Sequence, residues 1–147
     1  MSYATSTELE QRMGTALLVQ LTDDAGTGVA DPAKVAAVLE AAEAEIDSYL
    51  ARRYQVPVDV AEEPRVAAIL RTMTLDLAEH GLHVRRPPVP ADVASRRTTT
   101  LDWLRRAAEG TVLLPAGGEL PLNTSNGPAA FVTGSPRAWA REEAGEL

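Results

Sequence analysis

The sequence predicts an all-α fold: a small four-to-five-helix bundle over residues 1–110, followed by an extended C-terminal arm, residues 111–147, with room for one or two short β-strands. Three observations predict it. Aromatic residues are scarce, only six in 147, so the core must be built from Leu, Val, Ile and Ala, and Ala favours helices over strands. Apolar residues recur at three- and four-residue steps through several stretches before Gly110. Beyond that glycine, Pro115, Gly117, Gly118, Pro121, Gly127, Pro128, Gly134 and Pro136 crowd the chain and no helical stripe continues.

The elements follow in order. Thr5-x-x-Glu8 and Thr7-x-x-Glu10 are overlapping capping-box patterns that start a helix near Ser6, with Leu9 and Met13 as its apolar positions before Gly14. A second short run, 15–21, carries Leu17, Leu18 and Leu21, and the turn-forming residues from Asp23 to Gly28 end it. Asp31 is a good N-cap and Pro32 suits the first helical position. From there Val35, Val38, Leu39, Ala42, Ile46, Tyr49 and Leu50 form one stripe of a helix over 32–54, whose outer face holds Glu40, Glu43, Glu45 and Asp47. Pro64 opens the next helix, over 64–82, with Val66, Ile69, Leu70, Met73 and Leu77 inward and Gly81 as its expected end. Three prolines at 87, 88 and 90 make a stiff connector. The last helix, 91–109, carries Val93, Thr100, Leu101, Leu104 and Ala108, and Gly110 stops it. Val38, Leu39, Ile46, Leu70, Met73, Leu77, Leu101 and Leu104 are the expected core.

A length of 147 residues suits one domain. The chain has no cysteine, which excludes disulfides, thiolate metal sites and cysteine nucleophiles. No secretory signal and no apolar run of membrane-spanning length is readable, so the expectation is a cytosolic-type protein without membrane contact. The net charge of −7 is unevenly placed. Residues 1–51 hold nine acids against Arg12 and Lys34; residues 52–106 hold ten arginines against seven acids; residues 107–147 hold two arginines against five acids. The acidic balance opposes general nucleic-acid affinity.

Several constellations invite a chemical reading. Asp76, His80 and His83 stand at i, i+4 and i+7, a spacing that can serve a metal ion, but Gly81 intervenes and no further ligand accompanies them; polar residues at a helix terminus are the better account. The stretch from Asp23 to Lys34 resembles a degraded calcium loop with Gly28 at its sixth position. There Ala25 and Thr27 replace oxygen-rich ligands, and Lys34 stands where a bidentate Glu belongs. The pairs Arg52-Arg53, Arg85-Arg86, Arg96-Arg97 and Arg105-Arg106 suggest phosphate contact, yet adjacent helical residues point apart, and ion-paired surface explains them better. No nucleophile elbow, P-loop, dinucleotide fingerprint or zinc-protease motif occurs, so no enzyme and no cofactor are expected.

Three segments together resemble the phage Mu gp36-like family: Met1-Ser2-Tyr3-Ala4-Thr5; Leu18-Val19-Gln20-Leu21-Thr22-Asp23-Asp24, leading into the glycine turn; and Ala44-Glu45-Ile46-Asp47-Ser48-Tyr49-Leu50-Ala51-Arg52-Arg53-Tyr54-Gln55-Val56-Pro57. The segment Leu101-Asp102-Trp103-Leu104-Arg105-Arg106-Ala107-Ala108-Glu109-Gly110 does so too. The arm is similar through Ser135-Pro136-Arg137-Ala138-Trp139-Ala140-Arg141, with Trp139 where a Phe is more usual, and the glycine turn departs from the family's acid-rich version. The resemblance implies a virion structural protein at the neck, assembled from the host cytoplasm. Its expected role is that of a head–tail connector, or head-completion adaptor. It would form a homo-oligomeric ring, commonly twelvefold, between the portal protein and the tail or tail-completion protein, with only transient, non-specific contact with packaged DNA. On that reading Arg52, Arg53, Arg105 and Arg106 are candidates to bridge to Glu40, Glu43 and Asp47 of a neighbouring subunit, and Phe131, Arg137, Trp139 and Arg141 are candidate arm anchors. The alternative is a small DNA-binding or regulatory helical protein using the arginine-rich 52–106 region.

Overall fold

The structure, a computed structural model, describes residues 2–114. These form an all-α bundle of five helices: α1 (Ser6–Met13), α2 (Thr15–Thr22), α3 (Pro32–Leu50), α4 (Pro64–Arg85) and α5 (Ala91–Glu109). The helix starts are chemically specified. Thr5 accepts from the Glu8 N–H at 3.3 Å while the Glu8 carboxylate accepts from the Thr5 N–H at 2.8 Å, closing a capping box on α1. Asp31 accepts from the N–H groups of Ala33 and Lys34 at 3.0 and 3.4 Å, with Pro32 opening α3. Gly110 ends α5 in the left-handed region at φ 80°.

Helix α4 is the hub, packed against all four other helices, while α3 and α5 also touch each other. The C-terminal ends of α3 and α5 meet at one end of the bundle, where the Tyr54 hydroxyl accepts from the Leu114 N–H at 3.0 Å. The C-terminal end of α4 meets the start of α3 at the other, through Asp24. The interior is a leucine-rich seam: Leu9, Ile46, Leu50, Val66, Leu70, Leu82 and Leu104 are fully buried, with Tyr54 the one large aromatic among them. Each such side chain contributes roughly 1.5–3 kcal/mol of burial free energy. Among the described residues no buried side-chain nitrogen or oxygen lacks a partner. Leu114 belongs to this core, so residues 111–114 are structurally part of the bundle. Residues 115–147, which carry the expected strands and the anchors Phe131, Arg137, Trp139 and Arg141, lie outside the described residues.

Three expectations are corrected. Helix α4 runs through Gly81 to Arg85 instead of stopping there. A mid-helix glycine costs about 1 kcal/mol against alanine, and burying Leu82 and His83 in the next turn outweighs that. Helix α3 ends at Leu50, short of Tyr54. The N–H groups of Arg53 and Tyr54 both converge on the Leu50 carbonyl at 2.9 and 2.8 Å, a tightened turn that swings the Tyr54 ring into the core. Val38 and Leu101 flank the core and are only partly buried, because the inward line of α5 runs Val93, Thr100, Leu104, Ala107.

These geometries separate two glycines. A Cβ at Gly81 would meet only the Val38 side chain, at an ordinary 3.8 Å from Cγ1 and 3.9 Å from Cβ. Gly81→Ala therefore raises unfolding free energy by about 0.5–1 kcal/mol, read as a higher urea midpoint at unchanged slope. At Gly110 the positive φ and the Arg53 guanidinium lying over the site both oppose a side chain. Gly110→Ala lowers stability by about 1–2 kcal/mol or more in the same titration.

Candidate functional site

Among the described residues most charged side chains are paired with one another within the chain. On the inner flank of α4, the Asp76 and Glu79 side chains are only 11% and 10% exposed. Arg12 of α1 ion-pairs with Asp76 and, through Nε, with Glu79 at 3.2 Å. Arg96 of α5 grips Glu79 with two parallel bonds of 3.0 Å and reaches Asp92 at 3.2 Å. The Thr100 hydroxyl donates to Asp76 at 3.3 Å. Two carboxylates on one helix thus hold α1 and α5 in place, in the bidentate geometry that suits arginine.

The loop from Asp23 to Asp31 is organised around the Lys34 ammonium. Its Nζ lies 2.6 Å from Asp24, 3.1 Å from Asp31 and 3.0 Å from the Thr22 carbonyl oxygen. Arg85 donates to Asp24 at 2.8 Å and to the Leu21 carbonyl at 3.0 Å, and Arg86 donates to Asp24 at 2.7 Å and to the Asp23 carbonyl at 3.1 Å. Asp23 in turn accepts from the Gly28 N–H at 2.6 Å. The resemblance to a calcium loop therefore resolves into a loop whose cation is its own lysine. Lys34, then Arg86 and Arg85, hold the Asp24 carboxyl far below the usual 3.8, and Lys34 depresses Asp31 likewise.

Asp76, His80 and His83 do not converge: Asp76 is taken by Arg12, His83 is buried, and His80 sits beside Arg97 and Glu45. Burial, then the Arg97 charge, lowers the His80 pKa. Among the described residues no group of three His, Asp or Glu side chains could hold a metal ion.

The expected subunit contacts divide sharply. Glu43 accepts from the Ser2 hydroxyl at 2.5 Å and from the Tyr3 N–H at 2.7 Å. Asp47 accepts from the Tyr3 hydroxyl at 2.6 Å. Glu45 holds Arg97 bidentately at 2.9 and 3.1 Å. Arg106 pairs with Asp102 one turn earlier at 2.9 Å, and Arg53 is half-buried against Gly110. That leaves Arg52, Arg65 and Arg105 exposed without an ion pair among the described residues, all at the end of the bundle where α3 and α5 finish, and Glu40 exposed on α3.

Sequence reasoning missed Tyr3. Its hydroxyl donates to Asp47 and accepts the Val58 N–H at 2.8 Å, so one ring ties the N-terminus, α3 and the following loop together. Burial, then Asp47, pushes the phenol well above its usual 10. A second feature is a cleft of about 480 Å³ between α4 and α5, lined by Ala68, Ile69, Thr72, Met73, Thr99 and Trp103, with Asp76 and Thr100 at its base. No helix among the described residues is long and apolar enough to cross a membrane.

A family model described as Bacteriophage Mu, Gp36 matches residues 3–132. The match spans the bundle and reaches Phe131, but stops before the 135–141 segment. No curated protein matches the chain.

Two outcomes follow from this geometry. Tyr3→Phe leaves the buried Val58 N–H and Asp47 without their shared partner and lowers stability by about 1–3 kcal/mol, measured by chemical denaturation. Because Asp23, Asp24, Asp31 and Glu8 all have depressed pKa values, the unfolded chain binds protons first as pH falls below the usual 4.5 and 3.8. Their stabilisation is present above that range and lost on acidification. Lys34→Met should make the fall of the urea midpoint between pH 5 and pH 2 shallower; an unchanged slope refutes the assignment.

Proposed function

The chain belongs to the bacteriophage Mu Gp36 family, and from that premise we propose that it is a head–tail connector, a ring-forming adaptor between portal and tail. The family match over 3–132 is the observation that carries this reading. The architecture supports it: a closed bundle whose interior charges are paired, a few exposed charges without partners, and a C-terminal segment bearing Phe131 and Trp139.

Ring closure of identical subunits joins one face of a subunit to a different face of the next. The groups suited to such a contact are those the bundle does not consume. Arg52 and Arg105 at one end and Glu40 on the outer face of α3 replace the broader set that includes Glu43, Asp47 and Arg106. Each exposed pair contributes little alone, about 0–1 kcal/mol, so the contact selects register more than it supplies affinity. A net charge of −7 keeps packaged DNA from adhering to the channel and lets it pass. The C-terminal segment, with Phe131 and Trp139 as aromatic anchors, supplies the grip on portal, neighbouring subunit or tail.

The DNA-binding alternative is weakened by where the arginines go. Arg71, Arg85, Arg86, Arg96, Arg97 and Arg106 are all paired with carboxylates, so residues 52–106 present no continuous phosphate-binding stripe.

Electron microscopy of a lysate from a phage lacking this gene tests the proposal: filled heads and finished, separate tails are expected, whereas normally joined virions overturn it. A gel-shift titration separates the alternative, since a DNA-binding role requires retention that weakens steeply with salt and a connector should show almost none. Reversing Arg52 and Arg105 to Glu should leave the bundle folded, by circular dichroism, while reducing joined particles.

A further inference from the structure

We infer that His80 makes the junction of α3, α4 and α5 an acid-sensitive joint, which coheres while the ring is neutral and loosens when it takes a proton. The observation behind this is a change of chemistry along one side of α4. Asp76 and Glu79 come first, and His80 and His83 follow, each four residues further on and so in the same two rows. The carboxylates are met by opposite charge: Asp76 by Arg12, Glu79 by Arg12 and Arg96. Beside the half-buried His80 ring stands another arginine, Arg97 of α5, which repels the protonated form. Glu45 of α3 is there too, but both its oxygens already accept from Arg97, at 2.9 and 3.1 Å.

The surrounding charges balance only while His80 is neutral. The groups that face this stretch of α4 are Arg12 from α1, Glu45 from α3, and Arg96 and Arg97 from α5. Helix α4 itself adds Asp76 and Glu79, so three carboxylates stand against three guanidiniums. Helix α2 carries no charged residue. Asp92, the further partner of Arg96, has a side chain 75% exposed and is screened by the solvent. Arg85, at the end of α4, turns away to Asp24. His83 is buried, and neither histidine has an ion pair among the described residues. A proton on His80 therefore sets an unmatched positive charge against Arg97 at a site partly withdrawn from water. Repulsion is felt more strongly there than at the open surface.

Burial and the Arg97 charge accordingly hold the His80 pKa below the usual 6.5, with Glu45 opposing them. As pH falls through 6.5 the unfolded chain takes up this proton before the folded one, so the stabilisation is present above that pH and lost below it. The window lies above 4.5, where the loss assigned to Glu8 and the loop aspartates begins, so the two are read apart. The joint is a property of the bundle and does not rest on the connector reading.

The full chain is titrated by NMR through its imidazole proton signals, with only two histidines to assign, and its urea midpoint is compared at pH 7.5 and pH 5.5. The His80 ring is expected to titrate below 6.5, and lower still in Glu45→Gln, where the acid that favours its charged form is gone. Between the two pH values the wild-type urea midpoint should fall at least about twice as far as that of His80→Gln. A His80 ring that titrates at or above 6.5, or whose titration is unmoved by Glu45→Gln, would overturn the proposal, as would equal falls in urea. If His80→Gln does not fold, the NMR titration decides alone, with the wild-type signals assigned through His83→Gln.

Discussion

The fold depends on two carboxylates of α4 that face its neighbours. Asp76 and Glu79 are largely enclosed by the neighbouring helices, and an ion pair so placed is worth more than the about 0–1 kcal/mol of an exposed one. Arg12 on α1 and Arg96 on α5 meet them from opposite sides, so the charges determine which helices lie against α4 and in what register. An aromatic-poor core supplies burial but little directional specificity, since leucine and alanine pack in many ways. The ionic clamp removes that freedom, and Tyr3 and Tyr54 do the same for the segments after α3 and α5 by tying Val58 and Leu114 into the bundle.

One consequence runs through the whole surface. Charges that look available in the sequence are mostly spent inside the subunit: Glu43 and Asp47 on the N-terminal residues, Glu45 on Arg97, Asp24 on three cations. The few exposed charges without partners, and the C-terminal segment, are what the subunit has left for other molecules. On the proposed ring-forming reading this arrangement is an advantage, because a surface with few unsatisfied charges forms few wrong contacts.

The parts of this structure governed by neighbouring residues were legible in the sequence. The capping box at Thr5 and Glu8, the Asp31-Pro32 start of α3 and the Gly110 stop of α5 are local devices, and each stands where its pattern places it. The reading of the arginine pairs as ion-paired surface also holds for Arg85, Arg86, Arg96 and Arg97. Their partners were not legible, because Arg12 meets Asp76 across 64 positions and Arg97 meets Glu45 across 52, distances that only helix packing closes. Gly81 misled for a related reason: as a local signal it ends a helix, but Leu82 beyond it is wholly buried, and tertiary burial outweighed it. Tyr3 stood in a segment that carries the family resemblance, but its structural role was not legible, since it depends on a backbone N–H 55 residues away.

On the proposed function, residues up to Leu114 form a self-sufficient bundle and the segment beyond them does the joining. Complementation of the gene-deleted phage with a chain ending at Leu114, its helicity and unfolding midpoint checked first, tests this most directly. A cooperatively folded protein that yields filled heads and unattached tails is expected. Infectious, joined particles from that shortened chain would contradict it.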